Sequence, residues 1–294
     1  MRLLRSFPLA LGLLVSPPLI YAQAKIDVLN LTFTTIDVPG AGLTVVSGIN
    51  TADDMVGWYG QSGSAPGSGF LLSAQNFTSF DYPGGSSTLA FRVNDSGLIA
   101  GTAYLFQNTA AVGFLYDGTT FTKVRIGSHT YTYVEGIDNA GDIVGGYGDF
   151  GGNQGYERAG TKFKNVTPPG SYTLVYATAI NNLGQIAGTA DEGAFFYSKG
   201  KYQTIAFPGA SQTYAYGIND NAIVVGFYLG CAPSCADHGF ALMKGKYLSF
   251  DYPGAMETYA YGINNAGKIV GSYTFDQQTF HGFVTNPITA ADFQ

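Results

Sequence analysis

Hydrophobic positions along the chain fall in short runs, and turn-forming residues separate one run from the next. The runs are rich in Val, Ile, Tyr and Phe, which favour strands, whereas Gly, Asn and Pro stand between them. No segment has the sustained periodicity of an amphipathic helix. The pattern therefore predicts an all-β chain whose short strands are joined by tight turns.

One phrase, G-I-N-x-x-x-x-I-V-G in its clearest copies, recurs six times along the chain. Its asparagine-type position advances by 44, 44, 43, 38 and 45 residues, and a glycine follows seven residues later in every copy. Self-similarity at a fixed period indicates a repeat architecture. The asparagine-type positions are Asn50, Asn94, Asp138, Asn181, Asn219 and Asn264.

Two further phrases recur in register with the first one. A Gly-aromatic pair begins at Gly69, Gly113, Gly155, Gly239 and Gly282, with an altered copy at Gly193. A Pro-Gly pair begins at Pro39, Pro83, Pro169, Pro208 and Pro253, and Ile126-Gly127 replaces it in the remaining copy. Six copies with three registered landmarks are very hard to obtain by chance.

Each copy is predicted to contain four strands. In the fifth copy we place them at 213–218, 223–228, 239–243 and 247–251, with both cysteines in the loop between the second and third strands. The tips carry Asn and Gly, which tolerate the positive φ of hairpin turns. Proline lies between copies, where no ladder N–H is needed.

Four antiparallel strands in about 44 residues indicate a propeller blade, so the sequence predicts a six-bladed β-propeller. Residues 33–39 resemble a fourth strand, while the last copy stops after its third strand at 281–284. We expect the N-terminal strand to join the last blade, which would close the ring and remove two free edges. The alternative is a parallel β-helix, although an open solenoid would need polar capping repeats, and the sequence has none that we recognise.

The first 24 residues are predicted to be a signal peptide, so the propeller would occupy residues 25–294. Arg2 and Arg5 precede an apolar run at 7–15, and Ala22-Gln23-Ala24 forms a small-x-small cleavage site. The alternative, an uncleaved anchor, conflicts with the short, proline-broken run. We therefore expect a secreted or periplasmic protein without membrane insertion.

Composition narrows the range of partners. Removing residues 1–24 takes away two arginines and no acid, which changes the formal net charge from −6 to −8. An acidic surface repels phosphate backbones and anionic lipids, so nucleic-acid and membrane-surface roles are disfavoured. The frequent glycines and aromatic residues, with few charges, are the reverse of a disordered composition.

The three phrases resemble the bacterial extracellular repeats of the HAF family, whose copies carry H-G-F or A-F, D-x-P-G-A-x-x-T and I-N-x-x-G-x-I-V-G. The resemblance covers essentially the whole chain after residue 24 and implies export and a repeat fold, but no activity. Copies three and four depart from it most, at Arg125, Ile126, Thr167 and Ala206. It is best in the last copy, at Asp251-Tyr252-Pro253-Gly254-Ala255, Thr258, Gly262-Ile263-Asn264, Gly267 and Ile269-Val270-Gly271.

The two cysteines, Cys231 and Cys235, are predicted to form a local disulfide, since an exported chain meets an oxidising compartment. Free thiols and a metal site are the alternatives. His238 lies three residues further on, but two cysteines alone do not make a tetrahedral zinc site. We therefore expect neither a metal nor a cofactor.

The default binding site of a propeller is the mouth where the Pro-Gly turns converge, because ligands usually meet loops on a rigid scaffold. Asp251, Asp37 and Asp81 precede these turns on consecutive blades, with Arg125 next. They either form an acidic arc that holds a cation or sugar hydroxyls, or each caps its own turn as an Asx motif.

Two other positions, both on the predicted inner strands, depart from the repeat. Glu135 stands where Tyr216 and Tyr261 stand in other copies, and Arg92 replaces the glycine of G-I-N. They could form a structural pair, which alone is weak evidence for function.

His129, Tyr131 and Tyr172 lie in the variant third and fourth turns, where they could stack on a flat ligand or simply be exposed surface. His238 and His281 both precede Gly-Phe and are therefore predicted to be structural. The segment from Asp138 to Asp142 lacks the EF-hand ligand pattern and is predicted to be a hairpin turn.

These observations support three hypotheses about function. The first is a non-catalytic, monomeric binding module for a glycan or an extracellular protein. The second is a polysaccharide hydrolase or lyase that uses Arg92, Glu135, Arg125 and His129, because a catalytic acid and base need different environments. The third is a structural component of the cell envelope.

Overall fold

The computed structural model describes residues 27–62, 67–105, 109–150, 152–191, 193–231 and 235–294. Within these ranges the chain forms 25 strands and one short 3-10 helix, Ala290–Phe293. The all-β prediction is confirmed. The predicted signal peptide lies outside the described residues, and no helix within them is long and apolar enough to span a membrane.

The strands fall into six units of four strands along the repeat, and the fifth unit gains a fifth strand, β1. The first three units are β3 (Leu43–Ile49), β4 (Met55–Gly60), β5 (Ser68–Ser73) and β6 (Asn76–Phe80); β7 (Ser87–Val93), β8 (Ile99–Leu105), β9 (Ala110–Tyr116) and β10 (Phe121–Val124); and β11 (Tyr131–Ile137), β12 (Ile143–Asp149), β13 (Gly152–Ala159) and β14 (Lys162–Asn165).

The fourth to sixth units follow the same order, and the first two strands in the chain complete the last two units. They are β15 (Val175–Ile180), β16 (Ile186–Ala190), β17 (Gly193–Ser198) and β18 (Lys201–Ile205); β19 (Gln212–Ile218), β20 (Val224–Cys231), β21 (Cys235–Met243), β22 (Lys246–Phe250) and β1 (Asp27–Val28); and β23 (Glu257–Ile263), β24 (Ile269–Thr274), β25 (Phe280–Thr285) and β2 (Phe33–Ile36).

The N-terminal strand β2 lies beside the last unit, where the sequence predicts it. It pairs antiparallel with β25, from Phe33 opposite Thr285 to Ile36 opposite Gly282. Strand β1, which the sequence did not predict, pairs parallel with the outer strand β22. The first strands of successive units contact one another, and β23 also contacts β3.

The hydrophobic core lies between neighbouring units. Each Gly-aromatic phrase places one buried ring in it, namely Phe70, Phe114, Tyr156, Phe195, Phe240 or Phe283. The glycine that follows the asparagine by seven residues makes room for that ring. At Gly271, for example, a Cβ would lie 1.9 Å from the carbonyl oxygen of Tyr259 and 2.7 Å from the ring of Phe283. A side chain there would clash with backbone, which explains why the spacing never varies.

The threonine of the D-x-P-G-A-x-x-T phrase closes the turn that enters five of the six units. Its hydroxyl accepts the backbone N–H of the residue before proline, as Thr258 does from Tyr252 at 2.9 Å. The same bond forms in the first, second, third and fifth units. In the fourth unit Pro168 has no N–H to donate, and Val175 stands at the threonine position. Threonine, rather than the preceding aspartate, therefore closes this turn.

Candidate functional site

Each first strand contains one β-bulge immediately before the glycine-type position of the G-I-N phrase. A bulge adds one residue that is unpaired in the ladder and redirects its side chain. We call these the bulge residues: Ser47, Phe91, Glu135, Thr178, Tyr216 and Tyr261. All six line a single cavity of about 340 Å³. We call it the axial cavity, because the six first strands surround it.

Arg92 forms the floor of the axial cavity. Its two terminal nitrogens donate hydrogen bonds to the carbonyl oxygens of five of the six bulge residues. The shortest of those with ordinary lengths joins Nη1 to Ser47 O at 2.6 Å, and Nη2 reaches Tyr261 O at 2.9 Å. The sixth bulge residue is Glu135. One guanidinium thus satisfies carbonyl groups that the bulges leave without ladder partners.

Close packing at the centre explains why one arginine occupies it. At Gly48 a Cβ would lie 2.6 Å from the carbonyl oxygen of Phe91, and at Gly262 it would lie 2.7 Å from that of Ser47. The positions equivalent to Arg92 are Gly48, Gly136, Ala179, Gly217 and Gly262. The centre therefore has room for one long side chain. Arg92 separates the axial cavity from a smaller hollow of about 70 Å³ on the opposite side.

Aromatic side chains make up most of the cavity wall. Trp58, Tyr104, Tyr133 and Tyr176 join the bulge residues there. Tyr133 and Tyr176 meet edge to face with ring centroids 5.4 Å apart, and Tyr216 and Tyr261 do the same at 5.4 Å. Trp58 meets Phe91 at 5.8 Å and Tyr261 at 6.3 Å. All seven aromatic residues are half-buried, so each retains accessible surface.

Glu135 is the only carboxyl-bearing residue among those that line the axial cavity in the described chain. Desolvation raises the pKa of its carboxyl to about 8, although the charge of Arg92 opposes that rise. Burial lowers the pKa of Arg92 to about 10, which leaves the guanidinium charged at neutral pH. The described residues that line the cavity thus supply one carboxyl group and no second one.

A second aromatic layer lies nearer the Pro-Gly turns, on what we call the proline face. Tyr131 stacks on Tyr133 at 6.3 Å, and Tyr259 stacks on Tyr261 at 6.2 Å. The hydroxyl of Tyr259 donates to Glu257 at 2.7 Å. Burial raises the pKa of nearby Asp237. Acidic groups therefore accompany the aromatic residues on this side of the cavity.

The opposite, asparagine face carries a ring of hydrogen bonds between units. The side-chain amides of Asn50, Asn94, Asn181 and Asn219 each donate to the backbone carbonyl of the equivalent residue in the next unit. Asn264 donates to Asn50 O at 2.9 Å, which joins the last unit to the first. Asp138 has no amide hydrogen, so the ring lacks the corresponding bond to Asn181.

The segment from Asp138 to Asp142 forms the predicted hairpin turn. Asp138 Oδ1 accepts the backbone N–H groups of Ala140 and Asp142, both at 2.9 Å. No group of three or more His, Cys, Asp or Glu residues in the described part of the chain is arranged to hold a metal ion.

Two aspartates of the predicted acidic arc each pair with a histidine of their own unit. Asp37 binds Nδ1 of His281 at 2.9 Å, and Asp251 binds Nδ1 of His238 at 3.0 Å. The two histidines occupy equivalent positions, as predicted. Asp81 precedes its turn in the first unit, one step beyond the paired Gly69 and Phe80.

The remaining predicted residues meet in a surface groove of about 500 Å³ that includes residues of the third unit and of the turn into the fourth. His129 and Tyr172 both line it, beside Tyr147 and Asp149. His129 Nδ1 lies 2.7 Å from Asp149 Oδ2, while Arg125 donates to the carbonyl oxygen of His129 at 2.9 Å. The off-repeat residues thus fall into two places, with Arg92 and Glu135 in the axial cavity and Arg125 and His129 at the groove.

The strands around the cysteines are longer than the sequence analysis placed them. Cys231 ends β20 and Cys235 begins β21, and the two face each other in the ladder register. The loop prediction for these residues was wrong, because strand pairing continues as far as Cys231 and Cys235. The side chain of Cys231 lies outside the described residues, so the disulfide stays a prediction.

Sequence reasoning found Arg92, Glu135, Tyr216 and Tyr261 as inner-strand positions but missed the aromatic wall from the second strands. Trp58 and Tyr104 belong to second strands, where they lie opposite Val45 and Ser87. For the aromatic residues of the first strands, the sequence did contain a signal, namely a tyrosine two residues before the bulge, as at Tyr133 and Tyr259.

No family model and no curated protein matches the sequence. Solved structures match at the level of the fold. TolB from Acinetobacter baumannii has a TM-score of 0.54 at 12% identity, over 80% of this chain and 64% of the TolB chain. This chain therefore spans less than two thirds of TolB.

In two further matches, the aligned region extends over most or all of the matched structure. YCF48 bound to D1 peptide has a TM-score of 0.49 at 10% identity, over 90% of this chain and 100% of that chain. An Aleuria aurantia lectin in complex with Fucα1-6GlcNAc has a TM-score of 0.48 at 10% identity, over 88% and 93%. The likeness to TolB, a β-propeller, shows that this all-β chain has a propeller-type fold.

Proposed function

We propose that the six units are the blades of one closed, six-bladed propeller of HAF type. The pairing of β2 with β25 and the asparagine bond from the last unit to the first support closure. Replacing both Thr34 and Val284, which face each other in the register, with cysteine should give a cross-link between them in oxidised protein. Peptide mapping that finds no such link would count against closure, with each single replacement as the control.

We also propose that the protein is exported after removal of residues 1–24. The basic start, short apolar run and small-x-small site support this. N-terminal sequencing of protein recovered outside the cytoplasm should begin at Lys25. A chain that keeps its first residues and stays with the cells would contradict the proposal.

We infer that the propeller is a non-catalytic binding module whose ligand, a glycan or a protein group, enters the axial cavity from the proline face. The observation that carries this is the aromatic wall around a single carboxyl. A large, mostly apolar pocket with few polar groups is the usual form of a binding site. Hydrolysis of a glycoside uses two carboxyl groups on opposite sides of the bond, and the lining of this cavity offers one.

Binding assays on matched variants test this function. Glycan-array and pull-down signals of the purified protein should be lost when Tyr133 is replaced by Ala, because the replacement removes an aromatic face from the cavity. The control is Phe163→Ala, which removes an exposed ring from the outer strand β14. Equal signals from both variants would exclude the cavity as the site. A broad panel without any signal would favour the structural-component hypothesis.

A further inference from the structure

Around the axial cavity the aromatic rings form two neighbouring series of edge and face contacts. One series runs Tyr104–Tyr133–Tyr176, and the other runs Phe91–Trp58–Tyr261–Tyr216. Four of these five contacts are edge-to-face and the contact between Trp58 and Tyr261 is tilted, so neighbouring rings stand at 50–85° to one another. Seven electron-rich rings thus surround one space. Aromatic faces of this kind attract cations through their quadrupoles.

The cavity also offers a cation one carboxyl group with which it can pair when that group is ionised. Glu135 lines the cavity, and in the described chain it has no ion pair within 4 Å. Asp237 and Glu257 accompany the aromatic layer above it. The protein as a whole carries a formal charge of −6. Arg92 is the one basic side chain in the cavity lining.

Arg92 does not make the cavity an anion site. Its terminal nitrogens donate to the carbonyl oxygens of the bulge residues, so those donors are already used. Ser47 donates its hydroxyl hydrogen to backbone carbonyls, and Thr178 does the same. These groups therefore have no hydrogen left for an anion, whereas the wall offers a cation several π-faces and one carboxyl group that can ionise.

We propose that the axial cavity binds a small alkylammonium ion, with the aromatic rings around its cationic head and Glu135 as its counter-ion. The inference rests on the proposed binding function and names the class of ligand. The volume of about 340 Å³ can hold a compact quaternary head with a short tail. Recognition of quaternary ammonium groups is the best-known use of an aromatic cage.

Calorimetric titration with choline and with its neutral isostere, 3,3-dimethylbutan-1-ol, separates charge from shape. Above pH 8, where the carboxyl of Glu135 with its pKa of about 8 is mostly ionised, the purified protein should bind choline and tetramethylammonium at least about tenfold more tightly than the isostere, which corresponds to about 1.4 kcal/mol. Equal affinity for choline and the isostere would overturn the proposal. So would the lack of saturable choline binding at concentrations up to about 10 mM, a limit weaker than most specific sites.

Variants identify the cavity as the site. Glu135→Gln keeps the shape and removes the charge, so choline affinity should fall at least about tenfold, while affinity for the isostere stays unchanged. Tyr133→Leu should weaken choline binding and leave the fold intact, as judged by circular dichroism. Phe163→Leu on the outer strand is the matched control and should change neither affinity. If Glu135→Gln binds choline as the parent does, Glu135 is not the counter-ion.

The pH dependence gives a second readout. The groups that face Glu135 are Arg92, which stays charged at neutral pH, and Tyr104, Tyr133, Tyr176 and Tyr216, whose pKa values burial raises above the ordinary value. Glu135 must ionise to pair with the cation, so choline affinity should rise between about pH 6 and pH 8 in the parent and stay flat in Glu135→Gln. A flat profile in the parent would contradict the proposal.

The outcomes also distinguish this inference from the broader one. If a neutral sugar or a peptide binds and Tyr133→Ala abolishes that binding, while choline does not bind, the cation proposal fails and the binding function stands. If no ligand of any class depends on cavity residues, the binding function fails as well.

Discussion

The two faces of the ring differ in how closely the six units repeat. On the asparagine face, side-chain amides at five of the six equivalent positions make the same bond to the next unit. On the proline face, the six bulge residues are of five different types, although their backbone geometry is shared. The constant face holds neighbouring units together, whereas the variable face surrounds a cavity. Departures from a repeat are therefore informative where the backbone remains regular.

The largest expected effect comes from removing the guanidinium group of Arg92, which lies between the axial cavity and the hollow on the opposite side. Arg92→Met should lower the free energy of unfolding by about 3 kcal/mol or more, because it leaves buried carbonyl groups without partners. Arg125→Met is the matched control, since its guanidinium donates to one carbonyl, that of His129. Urea unfolding and thermal melting measure both.

If Arg92→Met does not fold, Arg92→Lys provides a second variant for the same test. Lysine keeps the charge but offers fewer donors in a different geometry, so its stability should fall between those of the parent and Arg92→Met. If Arg92→Met were as stable as Arg125→Met, Arg92 would not be the common partner of the bulge carbonyls.

The next effect concerns the carboxyl group of Glu135, which is the only carboxyl among the six bulge residues. The folded protein holds a proton on Glu135 up to about pH 8, whereas the unfolded chain loses it near the ordinary pKa of 4.5. In this window the folded state binds more protons, so stability falls as pH rises, by at most about 1.4 kcal/mol per pH unit. Glu135→Gln should remove that contribution.

Comparing the two proteins isolates Glu135 from other titrating groups. The hydrogen bond to Asp251 raises the pKa of His238, which also makes stability fall with rising pH. That contribution is common to the parent and Glu135→Gln, so it cancels in the difference between their unfolding free energies. A difference that is constant from pH 5 to pH 8.5 would show that Glu135 titrates normally in the folded state.

Much of the fold could be predicted from the sequence, because the three phrases encode contacts that every unit must make. The glycine after the asparagine admits a buried ring, and the threonine closes the entry turn. The candidate site could be predicted only in part. A bulge has no fixed sequence signature, so the direction of Glu135 or Tyr216 into a shared cavity could not be read from alternation alone.

The roles of polar residues were harder to predict, because several side chains can compete for the same hydrogen-bonding group. Asp37 and Asp251 stand before turns, where aspartate often binds its own backbone. Here a threonine closes the turn and a histidine on the neighbouring strand meets the aspartate. Sequence position alone does not decide that competition.

A smaller, stabilising effect should come from completing the asparagine ring. Asp138→Asn supplies the missing donor to the carbonyl of Asn181 and keeps the Oδ1 acceptor of the hairpin turn. One added hydrogen bond should stabilise the fold by about 0.5–1.5 kcal/mol. Burial raises the pKa of Asp138, so the gain should be larger at neutral pH, where the aspartate would be ionised, than at low pH.

The reverse change provides the control for that prediction. Asn94→Asp places an aspartate at the equivalent position and removes the bond to Asp138 O, so it should destabilise by a similar amount. Melting temperatures of the two variants should shift in opposite directions. A loss of stability in Asp138→Asn would mean that the third unit is adapted to its aspartate.

The smallest effect concerns the paired side chains on the outer part of the proline face. Asp251→Asn removes the partner of His238, whose pKa that aspartate raises. The stabilisation should be present below the ordinary histidine pKa of 6.5 and lost as pH rises through the higher folded value. Both side chains are partly exposed, so the loss should stay within about 1 kcal/mol at pH 5.5 and vanish by pH 8.5. Asp81→Asn is the matched control, because Ser68 rather than a histidine stands at the corresponding place in the first unit. A pH-dependent loss of equal size in both variants would assign the effect to the turn and not to the histidine pair.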